Sequence, residues 1–207
     1  MAFFRRLWNW CKRFRYRCGY GVHSPSDFFL ITSVVYESLP YYAYRELESS
    51  SSLDSSSFYR RKVNRLLFRL VNYFQPTCLV HIGQKDDLEF RYMKAACSSM
   101  KAIGLESNDC KDVMSVLGKV MRGRDSIGVL HVGNTPYYSE VIANLLPFMK
   151  ADSCLIIGGI HDSKDKKAWW KQLKNDERVR VTFDLYDVGI ALFDPKRYKQ
   201  DYIVNFF

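Results

Sequence analysis

Four short apolar runs separated by segments of helical periodicity constrain this chain more than any other feature. The runs are Thr77–Ile82 (TCLVHI), Lys101–Glu106 (KAIGLE), Ser126–Val132 (SIGVLHV) and Cys154–Ile157 (CLII). They are largely apolar on both faces, so each predicts a strand covered above and below. Between and after them, Asp87–Ser99, Asp109–Met121, Tyr137–Met149 and Ser163–Asp176 predict helices. Strand–helix alternation of this kind builds βαβ units and a parallel sheet. The end of the chain breaks the pattern. Val179–Leu185 and Gly189–Phe193 are strand-like and separated by only Tyr186-Asp187-Val188, too short for a crossover, so they predict an antiparallel hairpin. Tyr202–Phe207 predicts one more strand pairing with it.

A chain of 207 residues favours one domain with a real core, and 47% hydrophobic against 26% charged residues excludes wholesale disorder. No apolar run approaches the ~18–20 residues of a membrane span, and the start lacks the pattern of a secretory signal. Cysteines at 11, 18, 78, 97, 110 and 154 include no Cys-x-x-Cys pair. That spacing fits neither a zinc site nor a disulfide-stapled secreted module, and it predicts reduced thiols in a cytoplasm. The net charge of +9 is uneven: six cations and no acid fall in the first twenty residues, leaving 25 cations against 22 acids in the rest.

That basic segment predicts an amphipathic helix over residues 1–18. Phe4, Leu7, Trp8, Cys11, Phe14 and Cys18 share one face, with Phe3 and Trp10 at its edge, and Arg5, Arg6, Lys12, Arg13 and Arg17 take the other. Three uses are open: an apolar stripe docked on the chain's own domain with arginines outward, an anionic membrane surface, or nucleic acid or a protein partner. Gly19–Pro25 breaks the helix and Asp27–Leu39 predicts a second. Residues 49–57 hold seven serines, a surface loop or connector. Phe58–Phe74 predicts a third helix with Val63, Leu66, Leu67, Leu70, Val71 and Phe74 inward and Arg60, Arg61, Arg65 and Arg69 outward. The expected organisation is an N-terminal helical extension over 1–57 and an α/β domain over 58–207.

LVHIG at 79–83, AIGLE at 102–106, GVLHVGNTPYY at 128–138, LIIGGIHDSKDKKAWW at 155–170 and RVTFDLYDVGIALF at 180–193 together resemble the class I S-adenosylmethionine (SAM)-dependent methyltransferases, in particular small O-methyltransferase-like proteins. GYGVHSPSDFFLI at 19–31 resembles the segment that precedes this domain in some bacterial methyltransferase-like proteins. The resemblance implies a Rossmann-like methyltransferase fold: a mostly parallel open sheet with a C-terminal antiparallel hairpin, plus N-terminal helices. Only 19 residues separate Glu106 from Ser126. One crossover with its helix takes ~10–12, so the family's third, edge strand is expected to be missing together with the loop that flanks adenine.

The resemblance also implies a site at the carboxyl ends of the strands. Gly83 and Gln84 would lie against the methionine end of SAM, with Gly83 letting the backbone approach, and Glu106 would take the ribose hydroxyls. The plain alternatives are a turn glycine and a solvated acid. The family's acidic-x-Gly-x-x-x-Gly loop reads His81-Ile82-Gly83-Gln84-Lys85-Asp86-Asp87 here. Histidine replaces the acid and Asp87 the later glycine, a degenerate motif in which side chains crowd the loop and two acids repel the cofactor's carboxylate. Gly133-Asn134 and Gly158-Gly159 stand where metal-dependent members carry acids, so no metal is expected. His161 and Asn134 are the candidate catalytic residues on the acceptor side, because a neutral imidazole can take a proton from a hydroxyl. His81 and His131 lie inside apolar strands and read as core histidines. His23 either folds over the cleft or belongs to a turn in which Ser24 caps the next helix.

Two functions follow. One is a SAM-dependent methyltransferase acting on a small-molecule or surface-presented nucleophile, cytoplasmic and membrane-peripheral through residues 1–18. The other is a non-catalytic protein of the same fold, serving as a binding or scaffold module through its basic helix.

Overall fold

A computed structural model of the chain describes residues 2–50, 60–84, 87–106, 126–133 and 135–206, with positions 115 and 118. The helix expected over Asp109–Met121, most of the serine-rich stretch, Lys85, Asp86 and Asn134 lie outside the described residues.

Helix α1 spans Ala2–Lys12 and is followed by a 3₁₀ turn at Phe14–Tyr16. Helix α2, Pro25–Phe29, starts with Ser24 as N-cap and proline in its first turn, then continues as a π-helical stretch over Leu30–Val35. Helix α3, Tyr42–Ser50, had no strong signal in the sequence; Tyr44 anchors it against Phe68 and Tyr92. Helix α4, Arg61–Phe74, ends at Gln75, whose left-handed backbone (φ 43°) and the following Pro76 stop it. Its apolar face is the expected one, with one correction. Arg69 points inward, 5% exposed, and donates to the carbonyls of Val34 (2.7 Å) and Val35 (2.9 Å). A guanidinium thereby satisfies backbone acceptors left at the end of the π-helical stretch.

The sheet strands are β1 (Cys78–Gly83), β2 (Lys101–Glu106), β3 (Ile127–Val132), β4 (Met149–Gly158), β5 (Val181–Asp184), β6 (Val188–Leu192) and β7 (Gln200–Ile203). Their order is β2-β1-β3-β4-β6-β5-β7. The first four run parallel, β6 is antiparallel to β4 and to β5, and β7 pairs parallel with β5. Every strand except β6 therefore points its carboxyl end toward one rim. Among the described residues β2 is the outer strand on its side.

Alternation along the strands divides the core. Leu79, Val129, Cys154 and Ile156 meet the π-helical stretch, α4 and α5 (Leu88–Ala96) on one face. Val80, Ile82, Leu130, Val132, Leu155 and Ile157 meet α6 (Tyr138–Leu145) and α7 (Lys164–Asn175) on the other. Two-sided burial accounts for the continuous apolar runs of β1 and β3. Asp87 and Ser163 fix the starts of α5 and α7 by accepting hydrogen bonds from the Phe90 and Lys166 amides.

Candidate functional site

The shared rim carries Glu106, Gly83, Gly133, Gly158 and Asp184 at or just past the ends of β2, β1, β3, β4 and β5, with the start of β6 between the last two. Gly83 and Glu106 are register partners of β1 and β2, so the two expected cofactor positions sit side by side. Gly83 is buried, whereas Gln84 and Glu106 are exposed. The Gly133 amide donates to the Ile82 carbonyl (2.8 Å), closing β3 onto β1.

Beneath Gly83 runs a chain of polar side chains. His81 and His131 are fully buried register partners, with rings stacked 4.9 Å apart and Nδ1 atoms 2.7 Å apart. His81 Nε2 lies 3.1 Å from Asp87 Oδ2, and Phe90 covers the His81 ring. Burial, reinforced by the adjacent His81, holds His131 well below the usual imidazole pKa. Burial also acts on the Asp87 carboxyl, raising its pKa, but the hydrogen bond and charge of His81 and the Phe90 amide outweigh it. The net shift is downward. With Asp87 ionised against His81 Nε2 and His131 held neutral, the 2.7 Å contact between the two Nδ1 atoms has room for one shared proton. A Cβ at Gly83 would meet His81 Nε2 at 2.8 Å and Asp87 Oδ2 at 3.2 Å. Glycine is thus required there by the bridge that ties β1 to the start of α5, in addition to any approach by a ligand.

The second cluster occupies the β4–β5 end of the rim. Gly159 takes a left-handed turn (φ 62°) after β4, and His161 follows. His161 Nε2 lies 2.7 Å from Asp184 Oδ2 and 3.1 Å from an Arg13 terminal nitrogen. Only one proton can sit on Nε2, and the shorter contact to a carboxylate makes Asp184 its acceptor. Arg13 donates to Asp184 Oδ1 (2.8 Å) and to the Asp184 carbonyl (3.1 Å). Tyr186, at φ 75°, centres a tight turn in which the Asp187 amide donates to the Leu185 carbonyl; its own amide donates to Asp184 Oδ1. Its ring stacks on His161 and lies beneath the Arg6 and Arg13 guanidinium groups. Arg6 grips Asp187 with two bonds (2.7 and 3.1 Å), and Asn9 donates to the Tyr186 hydroxyl. Burial raises the Asp184 pKa, but His161, Arg13 and the Tyr186 amide overcome it and pull the carboxyl down to about 2.

These contacts reverse the expected docking of the first helix. Arg6, Asn9 and Arg13 are the face that packs on the domain. Phe4, Leu7, Trp8 and Phe14 are 74%, 48%, 62% and 53% exposed. Carboxylates on the hairpin turn outcompete apolar contact, because they would be buried without a partner.

The structure therefore brings Gly83, Gln84 and Glu106 together and sets His161 on the same rim, with β3 between β1 and β4, engaged by Arg13 and Asp184. Asn134 is outside the described residues. His23 lines a separate cavity of about 550 Å³ with Gly21, Arg197 and Tyr202. Sequence reasoning missed Arg13, Asp184, Tyr186 and Asp187 as one cluster; its only trace was two acids flanking a hairpin turn and a helix with no acids of its own. Among the described residues no group of three or more histidine, cysteine, aspartate or glutamate side chains is placed to hold a metal ion. Among them, too, no helix is long and apolar enough to cross a membrane.

No family model matches the sequence, and no curated protein matches it. Solved structures do. The O-methyltransferase TomG from Streptomyces achromogenes, in complex with SAM, superposes with TM-score 0.56 at 12% identity over 75% of this chain and 91% of its own. The O-methyltransferase from Bacillus cereus, in complex with SAH, gives 0.54 at 9% over 74% and 92%. A putative caffeoyl-CoA O-methyltransferase from Staphylococcus aureus gives 0.53 at 9% over 82% and 100%. Strand order, the terminal hairpin and these superpositions agree: the chain has the fold of the class I SAM-dependent methyltransferases.

Proposed function

We propose that this chain is a SAM-dependent methyltransferase that holds its cofactor at the β1–β2 rim. The observation that carries the proposal is the pairing of Gly83 with Glu106 at the ends of adjacent parallel strands. A residue without a side chain next to an exposed carboxylate suits a nucleoside whose two ribose hydroxyls need one bidentate acceptor. Gln84 and the Gly83 backbone would flank the methionine portion. SAM, when bound, supplies a methyl group on a sulfonium, already an excellent leaving group. The protein's share of catalysis is then alignment of a nucleophile with that methyl. His161, oriented through Nε2 by Asp184, and Asn134, which follows Gly133 in sequence, are the proposed acceptor-side residues. The acceptor class is a small or surface-presented nucleophile.

A second reading, a non-catalytic module of the same fold, is favoured by two contacts. The His81–Asp87 bridge fills the space against Gly83, and Arg13 crowds the His161 imidazole. Isothermal titration with SAM and its demethylated product separates the two. The methyltransferase reading expects binding that Glu106→Ala weakens at least tenfold while the melting temperature stays unchanged, since Glu106 is exposed. The absence of both binding heat and a thermal shift at millimolar ligand would remove that reading and leave the scaffold.

A further inference from the structure

We infer that the outward face of α1 is a membrane-docking surface for anionic bilayers, presented in fixed orientation by the arginines on its inward face. The inference starts from the reversed packing. A free amphipathic helix would bury its aromatic side; here Arg6 and Arg13 are spent on Asp187 and Asp184, so the aromatic side has nowhere to go but outward. The C-terminal segment adds further ties, with the Asn205 amide donating to the Tyr16 carbonyl and the Asn205 side chain to the Trp10 carbonyl.

Phe4, Leu7, Trp8, Trp10, Phe14 and Tyr20 form an exposed apolar and aromatic surface on one segment, Tyr20 reaching 81% exposure. Soluble surfaces rarely gather so many large apolar side chains without a partner. The chemistry of the partner is set by the cations interleaved with them. Lys12 lies over Trp8 (5.0 Å), Arg15 over Tyr16 (4.8 Å), and Arg17 over Phe14 (5.4 Å) and Trp10 (6.0 Å). All three cations are exposed, and no acid occurs before Asp27. Aromatic rings carrying cations over their faces match the boundary between acyl chains and phosphate headgroups. A protein partner or a second copy would need matching acids, and the acids nearest this segment, Asp184 and Asp187, are already used on its inner side. Nucleic acid would call on the cations but not on Leu7 and Phe4.

The test is co-sedimentation of the full chain with vesicles of phosphatidylcholine alone or with about one third phosphatidylserine. The wild type is expected to bind the anionic vesicles, with a blue shift in tryptophan fluorescence, and to bind neutral ones far less. Lys12→Gln/Arg15→Gln/Arg17→Gln should weaken binding by roughly 100-fold, about fivefold per cation near an anionic surface. Leu7→Ser/Trp8→Ser should weaken it at least tenfold. Both sets change exposed side chains, so melting temperatures should match the wild type and certify folding. Equal binding by wild type and variants overturns the inference, as does failure of the wild type to bind. A concentration-dependent dimer abolished by Leu7→Ser/Trp8→Ser overturns it in favour of a second copy.

Discussion

Arg13→Gln isolates the link between the first helix and the rim. Asp184 has a folded pKa of about 2, against 3.8 for an ordinary aspartate. At about 1.4 kcal/mol per pKa unit, that difference is about 2–3 kcal/mol of stability near neutral pH. The sign is fixed by the direction of the shift: a depressed carboxyl stabilises the fold above its unfolded value and loses that contribution as pH falls through its folded value. The contribution is therefore full above about pH 5, about half at pH 3, and gone below pH 1–2. Arg13 shares the depression with His161 and the Tyr186 amide, so Arg13→Gln should remove about 1 kcal/mol at pH 7. The loss stays below the ~3–5 kcal/mol of a stranded buried charge because Asp184 lies at the rim, 10% exposed, and keeps His161 and the Tyr186 amide as partners. Urea unfolding at pH 7 and pH 3 measures it, and hydrogen exchange should show lost protection in α1. Unchanged stability at pH 7, or a deficit that grows as pH falls to 3, would refute the reasoning.

Other consequences are equally direct. His131 is held neutral by burial and by His81, so the unfolded chain binds the extra proton below about pH 6.5 and stability should fall on acidification, by at most ~1.4 kcal/mol per pH unit; urea unfolding between pH 7.5 and 5.5 should show this slope in the wild type and less of it in His131→Gln. Gly83→Ala drives a methyl group into the His81–Asp87 bridge and should destabilise by about 1–3 kcal/mol in thermal unfolding.

Much of the architecture is legible in the sequence because two-sided burial leaves an unmistakable trace. TCLVHI and SIGVLHV are apolar but for one histidine each and their first residue, and both became inner strands. The hairpin follows from a connection of three residues. Of the candidate site, the adjacency of Gly83 and Glu106 is legible, because it follows from strand register. What escaped is carried by contacts between distant parts of the chain. Nothing near Arg13 announces Asp184, and nothing near Val34 announces that Arg69 will cap its carbonyl. Helical periodicity told that the first segment has two faces, but not which would turn inward, because that choice is set by acids more than 170 residues away. Helix α3 was hidden by its polar, serine-flanked composition; it is held by Tyr44 against Phe68 and Tyr92 rather than by its own propensity.

The clasp between Arg6 and Asp187 spans 181 residues. During synthesis α1 leaves the ribosome well before the hairpin and has no docking partner until that hairpin has been made and folded. For most of translation both its cationic and its aromatic sides are open, and chaperones, nascent neighbours or a nearby bilayer can reach them before the chain's own carboxylates do. Completion of the hairpin then acts as a timer: it withdraws the arginines and leaves the tryptophans on display.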